Sequence, residues 1–537
     1  MNNETSNAKR LLWAGFFSIF AAGVGFGVRG GILVDWGRQY GFTQAELGTI
    51  TGGGLVGFGF IIILGSLIAD SIGYGTLMVF ALIMHVLSAV LQICTPMIFE
   101  AFGRDGVYDS LYYAMIMFSI GNGMCEVVVN PMVATLFPKA KTHYLNILHA
   151  GWPGGLIAGG LVAYVCNDIV KVHWIIQMSM FLVPVAIYGF LLLGQRMPRS
   201  EASQAGVSFG TMLAEFAAPL LLLLLLIHAL VGYVELGTDS WIAKITGSIM
   251  DSRGAGVLLF IYTSGLMFTL RFFAGPIESA VSPLGLLFFS AVFATLGLTF
   301  LSGAKGVLFC VLAVTVYGIG KTFFWPTMLA VVSERFPRGG AVTLGAVGGI
   351  GMLSAGFLGG PGIGFKQDYY ASTKLKDESK TTYDRYSADK PNSFLMFEAR
   401  GLDGAKVNLM ELEAKRVALS EKGKTTEVKD VADELNKTLE RLRNSKDAEQ
   451  KKLAEWWDAN SAHAVEDNKR VEDAGLYGGR MALKLTAAVP ATMALLYLLL
   501  ILYFRISGGY KAEVLTAHIP RDKVEEYTGG VAGPMEA

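Results

Sequence analysis

The chain has 537 residues, of which 53% are hydrophobic and 16% charged, and its mean hydropathy is +0.47. That balance excludes a soluble multidomain protein and makes the lipid bilayer the first partner the composition implies. Lys plus Arg and Asp plus Glu are equal at 44 each, so no basic excess marks a nucleic-acid partner.

In chain order, long apolar runs begin near Arg10, Leu47, Thr76, Leu111, Leu145, Trp174, Ala214, Gly256, Leu284, Gly306, Val342 and Met481. Each is about long enough to cross ~30 Å of hydrocarbon as a helix, which predicts twelve transmembrane helices. Lys9 and Arg10 precede an apolar run longer than the core of a secretory signal, so the first run reads as a membrane helix. Within it, Arg29 stands in Gly25-Phe26-Gly27-Val28-Arg29-Gly30-Gly31, flanked by residues too small to shield it from a central cavity. It is a candidate substrate ligand or counter-charge, against the alternative of an arginine reaching the outer boundary.

Thr43-Gln44-Ala45-Glu46 fits a capping box opening the second helix. At the far end of that helix, Gly65 to Gly73 contains Asp70, a candidate inner-gate residue that would pair with a helix end or an arginine. The four cysteines, Cys94, Cys125, Cys166 and Cys310, lie in apolar segments without CxxC or metal spacing and read as packing residues.

The fourth run contains GMCEVVVNP, residues 123–131, which buries Glu126 where an unpaired charge costs ~3 kcal/mol or more. Four-residue steps place Asn122, Glu126 and Asn130 on one helical face. The fifth run carries Asn146 and His149 just before Gly151-Trp152-Pro153-Gly154-Gly155, a stretch expected to bend the helix. A titratable imidazole there suits proton relay, with a hydrogen-bonded packing histidine as the alternative. Glu235 and Asp239 share a face of the seventh helix, either lining an outer gate and touching substrate or standing solvated near a loop. Arg271 lies near the inner end of the eighth, which suits a gate between halves.

Shifting the sequence by 195 residues lays GMCEVVVNP on Gly318-Ile319-Gly320-Lys321-Thr322-Phe323-Phe324-Trp325-Pro326. Beyond it, with a small change of offset that the loops absorb, Phe137-Pro138-Lys139 answers Phe336-Pro337-Arg338, and the two six-helix halves read as copies. Tyr317, Lys321 and Trp325 form the stripe opposite Glu126. Duplicated carriers of this kind hold substrate between their halves near the bilayer midplane. Amides and a carboxylate suit hydroxyl groups, and aromatic faces suit the C–H side of a sugar ring. The competing reading is a structural Glu126 to Lys321 ion pair.

Gly359-Gly360-Pro361-Gly362-Ile363-Gly364 ends a membrane helix and follows no strand, so it is not a phosphate loop. Residues 366–478 turn polar and charged. Val428, Val431, Leu435, Leu439 and Leu442 recur at helical spacing there, which predicts an amphipathic helix paired with one carrying Leu453, Trp456 and Trp457. This block is a solvated helical hairpin or a cap for an extracytoplasmic partner; His463 and Glu466 within it have no further ligands, so no metal is expected. The organisation read from the sequence is a bundle over 1–200, five helices over 201–365, the insertion over 366–478, a last membrane helix over 479–510 and a tail over 511–537. Basic residues concentrate at one set of connections and at both ends, which predicts cytoplasmic termini in a plasma membrane, the bacterial inner membrane fitting best.

This twelve-helix duplicated plan resembles the major facilitator superfamily, and the Gly65 to Gly73 segment resembles its loop signature without the terminal basic residues. GxxExxxNP at Gly123 to Pro131, with Leu136, Pro138 and Leu145-Asn146 following, resembles the fucose permease branch of sugar and proton symporters. The resemblance implies a monosaccharide cavity, with Glu126 in proton coupling. The sequence departs from the branch where it expects an aspartate on the first helix, having Arg29-Gly30-Gly31 instead, and again at Lys321.

The expected function is a secondary active transporter of a sugar or sugar derivative, coupled to protons through Glu126 and His149. Arg29, Asn122, Asn130, Asn146, Glu235, Asp239, Tyr317, Lys321 and Trp325 would contact substrate, with Asp70 and Arg271 as gates. Two alternatives stand: a carrier of sugar acids or other organic anions clamped by Arg29 and Lys321, and a non-transporting sensor whose insertion binds a partner. No nucleophile with its base, metal cluster or phosphate loop appears, so neither an enzyme nor a cofactor is expected.

Overall fold

The computed structural model describes residues 2–515 apart from 41, 43, 446, 447 and 514. Thr43, and with it the expected capping box, lies outside the described residues, as does most of the C-terminal tail. The first half comprises α1 (Asn2–Tyr40), α2 (Gln44–Ile72), α3 (Tyr74–Ile93), α4 (Thr95–Leu136), α5 (Lys141–Tyr164) and α6 (Trp174–Leu192). The second begins with α7 (Pro219–Ile249), α8 (Arg253–Arg271), α9 (Pro283–Gly303), α10 (Gly306–Arg335) and α11 (Pro337–Glu378). Among the described residues, eleven helical segments are long and apolar enough to cross a membrane, against the twelve expected. The remaining predicted span, α5, is diluted by its glycines, Asn146, His149 and Pro153, yet it packs closely along α1. A Cβ on Gly155 would come within 2.2 Å of the Phe20 carbonyl oxygen, so only glycine allows the two backbones to approach this far.

The internal repeat extends to backbone geometry. Helices α4 and α10 both end on a phenylalanine in the same conformation, Phe137 at φ −129°, ψ 60° and Phe336 at φ −131°, ψ 53°. A π-helical turn closes α5 at Val165–Ile169, and its counterpart interrupts α11 at Ala355–Gly359. The halves meet along α2 with α11 and α5 with α8. At the end of the molecule carrying the Phe137 and Phe336 turns they are tied directly. Lys141 Nζ donates to Glu201 at 2.8 Å and to the Ser333 carbonyl at 3.3 Å, and the Gly275 amide donates to His143 Nδ1 at 3.2 Å. Asp70 accepts from Ser200 at 2.9 Å, on the link between halves, and not from an arginine.

The boundary at residue 366 falls inside a continuous helix, because α11 runs on from the membrane to Glu378. The chain returns antiparallel to that extension as α15 (Ala464–Thr486), after α12 (Gly404–Glu421), α13 (Thr425–Asn444) and α14 (Ala448–Asn460), and then enters the last apolar helix, α16 (Ala488–Ile506). Gly478 lies so close to α11 that a Cβ there would sit 2.4 Å from the Gln367 carbonyl oxygen. The amphipathic stripe forms as expected: Leu435 and Leu439 join Leu409, Met410 and Trp457 in a buried cluster, with Leu442, Leu453 and Trp456 at its edge. Leu375 of α11 and Val471 and Ala474 of α15 complete that core. The insertion is therefore built around two membrane helices prolonged beyond their apolar spans, not on a free hairpin.

Replacing Gly345 of α11 by Ala would place a Cβ 2.2 Å from that of Ser66 on α2. The expected loss is about 1–3 kcal/mol by overpacking, read as a lower Tm in detergent. Gly160→Ala, which meets nothing within 4 Å, should leave Tm unchanged or slightly higher. Half-buried Glu278, in the short helix Ala274–Val281, has its carboxyl pushed up to about 8 by burial and then by the charge of Glu334. A raised acid stabilises the fold fully below its ordinary 4.5 and loses that contribution as pH rises through about 8. Tm should fall across that window, and Glu278→Gln should flatten the fall.

Candidate functional site

The polar residues inside the bundle form one connected network across the interface between halves. On α4, Asn130 Nδ2 donates to the Glu126 carboxylate at 2.6 Å and to its carbonyl one turn back at 3.0 Å. The amide oxygen of Asn130 faces His149 Nε2 of α5 at 2.8 Å. Because the amide spends its N–H on the carboxylate, the imidazole must donate from Nε2, which leaves Nδ1 bare in the neutral ring. That nitrogen faces Glu126 Oε1 at 4.0 Å. A proton arriving at this pair has two adjoining acceptors.

Arg271 ends α8 and is 1% exposed. Its guanidinium donates to the His149 carbonyl at 2.6 Å, the Thr322 carbonyl of α10 at 2.8 Å and Glu235 Oε1 of α7 at 3.0 Å. Lys321, wholly buried on α10, donates to Asp239 at 2.5 Å, and its Nζ lies 5.5 Å from the Tyr317 ring centre. The Tyr317 hydroxyl donates to the Val234 carbonyl at 2.9 Å. Lys321 is therefore not the partner of Glu126, and in place of the competing structural ion pair between them stands Lys321 with Asp239. Asn146 donates to Thr327 of the other half at 3.2 Å, and its side-chain amide oxygen has no partner among the described residues. Trp325 lies under Gly351, its ring centre 4.6 Å from that of His228.

Two expected site residues point elsewhere. Arg29 is closed inside the first half. Its guanidinium carbon lies 3.8 Å from the Phe118 ring centre and 4.8 Å from that of Phe181, and it donates to Ser88 at 2.9 Å and the Gly25 carbonyl at 3.1 Å. The small residues beside it on α1 admit these aromatic rings instead of opening it to a cavity, and the ring faces take the place of a counter-ion. Asn122 bonds His85 Nε2 at 3.0 Å, which in turn holds Tyr188 at 2.9 Å. Four residues overshoot a 3.6-residue turn by ~40°, so over the eight residues to Asn130 the stripe rotates and Asn122 turns toward α3.

His228 was not singled out by its sequence context. It is fully buried on α7, and among the described residues neither ring nitrogen has a hydrogen-bond partner. The signal was present, a histidine after the seven leucines of Pro219 to Leu226, and is of the same kind that exposed Glu126.

The model of the Major Facilitator Superfamily matches residues 15–360, and the chain belongs to that superfamily of membrane transporters. The E. coli fucose:proton symporter is 16% identical, with a TM-score of 0.54 over 66% of this chain and 91% of that one. The proton:xylose symporter bound to 6-bromo-6-deoxy-D-glucose is 14% identical, with a TM-score of 0.53 over 66% and 88%. An inward-facing bacterial homolog of the human lysosomal transporter Spinster is 14% identical, with a TM-score of 0.52 over 92% and 96%. At these identities the likeness is one of fold. No curated protein sequence matches the chain.

Replacing Arg271 by Met would leave the buried Glu235 carboxylate without its counter-charge and should cost about 3–5 kcal/mol. Adding Glu235→Gln should recover part of it, measured by thermal denaturation in detergent of both single variants and the pair.

Proposed function

We propose that the protein is a proton-coupled secondary transporter of a neutral polyhydroxyl substrate, a sugar or sugar derivative, working by alternating access. The observation that carries this reading is the charge balance of the interface network. It contains three carboxyls, Glu126, Glu235 and Asp239, and two cations, Arg271 and Lys321, each cation bonded to its own carboxylate. Glu126 has only an amide and an imidazole beside it. A single proton shared by Glu126 and His149 completes neutrality, and a neutral network crosses the low-dielectric stage of the cycle more cheaply than a charged one.

In this reading the free side-chain oxygen of Asn146 and the unpartnered His228 offer hydrogen bonds to substrate hydroxyls, Trp325 supplies an apolar ring face, and Asn130 stays committed to the Glu126–His149 pair. Protonation from outside lets the loaded halves rock about the α2–α11 and α5–α8 seams. Opening at the Lys141 and His143 end then releases substrate and proton inside. This requires the basic connections and both termini to be cytoplasmic, with the insertion outside, in a plasma membrane. An organic-anion carrier has less support, since Arg29 is enclosed by aromatic rings and Lys321 would first have to leave Asp239.

In vesicles with an imposed pH gradient, neutral sugars should accumulate and uronates should not. Glu126→Gln should abolish accumulation against a gradient while leaving substrate exchange close to wild type. Unchanged accumulation in that variant would remove Glu126 from coupling.

A further inference from the structure

The insertion carries a two-stranded hairpin, β1 (Asn392–Phe394) and β2 (Phe397–Ala399), paired Asn392 with Ala399 and Phe394 with Phe397. Its turn is Leu395-Met396, with Leu395 at φ 55°. Two-residue hairpin turns favour Gly, Asn and Asp because such backbone angles strain other side chains. Leucine and methionine there, followed by phenylalanine, are poor turn chemistry for water. Leu395, Met396 and Phe397 are 72%, 87% and 59% exposed, more than any other large apolar side chain among the described residues of the insertion.

The direction of the hairpin gives this patch its occupant. At the base, Asn392 donates to Asp368 of α11 at 3.3 Å, and Gly401 packs against the same aspartate. Near the tip, the Phe394 ring covers Gly362, where a Cβ would meet it at 2.7 Å, and lies 5.9 Å from the Phe365 ring centre. From base to tip the strands therefore retrace α11 from Asp368 to Gly362, about 9 Å back toward the bilayer. The turn projects past that point. The same level is marked by Trp241, which donates to the Gly360 carbonyl at 2.7 Å, and by Lys244 at 5.2 Å from the Trp241 ring, both in the last third of α7. Tryptophan and lysine gathered toward the end of a span mark the membrane interface.

We propose that Leu395, Met396 and Phe397 form a membrane anchor, inserted at the acyl-chain edge of the leaflet beside α11. The anchor is continuous with the lipid-facing surface of the spans and holds the insertion against the half that contains α11. It is independent of the substrate or coupling ion.

The test uses the full chain in phosphatidylcholine and phosphatidylglycerol vesicles, with a nitroxide attached through Met396→Cys or, as an aqueous reference, Lys422→Cys, after the native cysteines are replaced. Collision with oxygen, which partitions into lipid, is compared with collision with a water-soluble nickel chelate. The oxygen-to-nickel ratio should be several-fold higher at 396 than at 422. A ratio at 396 equal to the reference would put the tip in water. Low collision with both reagents would mean the tip is covered by protein, over the cavity mouth or by a second copy. Either result overturns the anchor, and a size-exclusion profile and Tm of the labelled protein equal to those of the unlabelled chain confirm that it is folded.

Discussion

One buried guanidinium holds the centre of this protein together. Arg271 arrives from α8 and spends its N–H groups on a carbonyl of α5, a carbonyl of α10 and a carboxylate of α7. A charge buried in a membrane protein is tolerated only where charge and hydrogen bonds answer it together. Here the answering groups come from three helices and from both halves. The bond to His149 is made to its backbone, so the side chain of that histidine stays free for Asn130 and Glu126. The cation thus fixes the position of the imidazole without using its titratable nitrogens.

Around that centre, the orientation of one amide decides which groups can exchange a proton. Asn130 gives its N–H to Glu126 and its oxygen to His149, and the bare Nδ1 and the carboxylate are left facing each other. The other acids on the interface are already answered by Lys321 and Arg271. The reading of Glu126 as the coupling group follows from this division of partners more than from its burial, which Glu235 shares.

The insertion is coupled to the bundle through stiff elements. Helices α11 and α15 are packed so closely at Gly478 that backbone meets backbone, and α15 leads through Ala487 into α16. Its core draws on Leu375 and Val471 of those prolonged helices together with Leu435 and Trp457 of the intervening ones. A block built in this way moves with the α11 side of the interface, not as a domain on a tether.

The apolar runs by themselves determined the class of fold, because a backbone in lipid must satisfy its own hydrogen bonds and helical length follows from bilayer thickness. They also determined that Glu126, His149, Arg271 and Lys321 are inside the membrane, and the GxxExxxNP and GxxKxxxWP pattern revealed the duplication that the matching Phe137 and Phe336 turns display. Which charge faces which was decided only by the tertiary structure. A helical face is known from sequence to within a few tens of degrees, enough to group Asn122 with Glu126 but not to foresee that one turns to His85 and the other to Asn130. Arg29 lost its expected place to Phe118 and Phe181, Lys321 took Asp239, and His228 emerged unpartnered beside Trp325. Each of these outcomes depends on how far neighbouring helices rotate and how closely they pack, and those quantities belong to the whole bundle, not to any one segment.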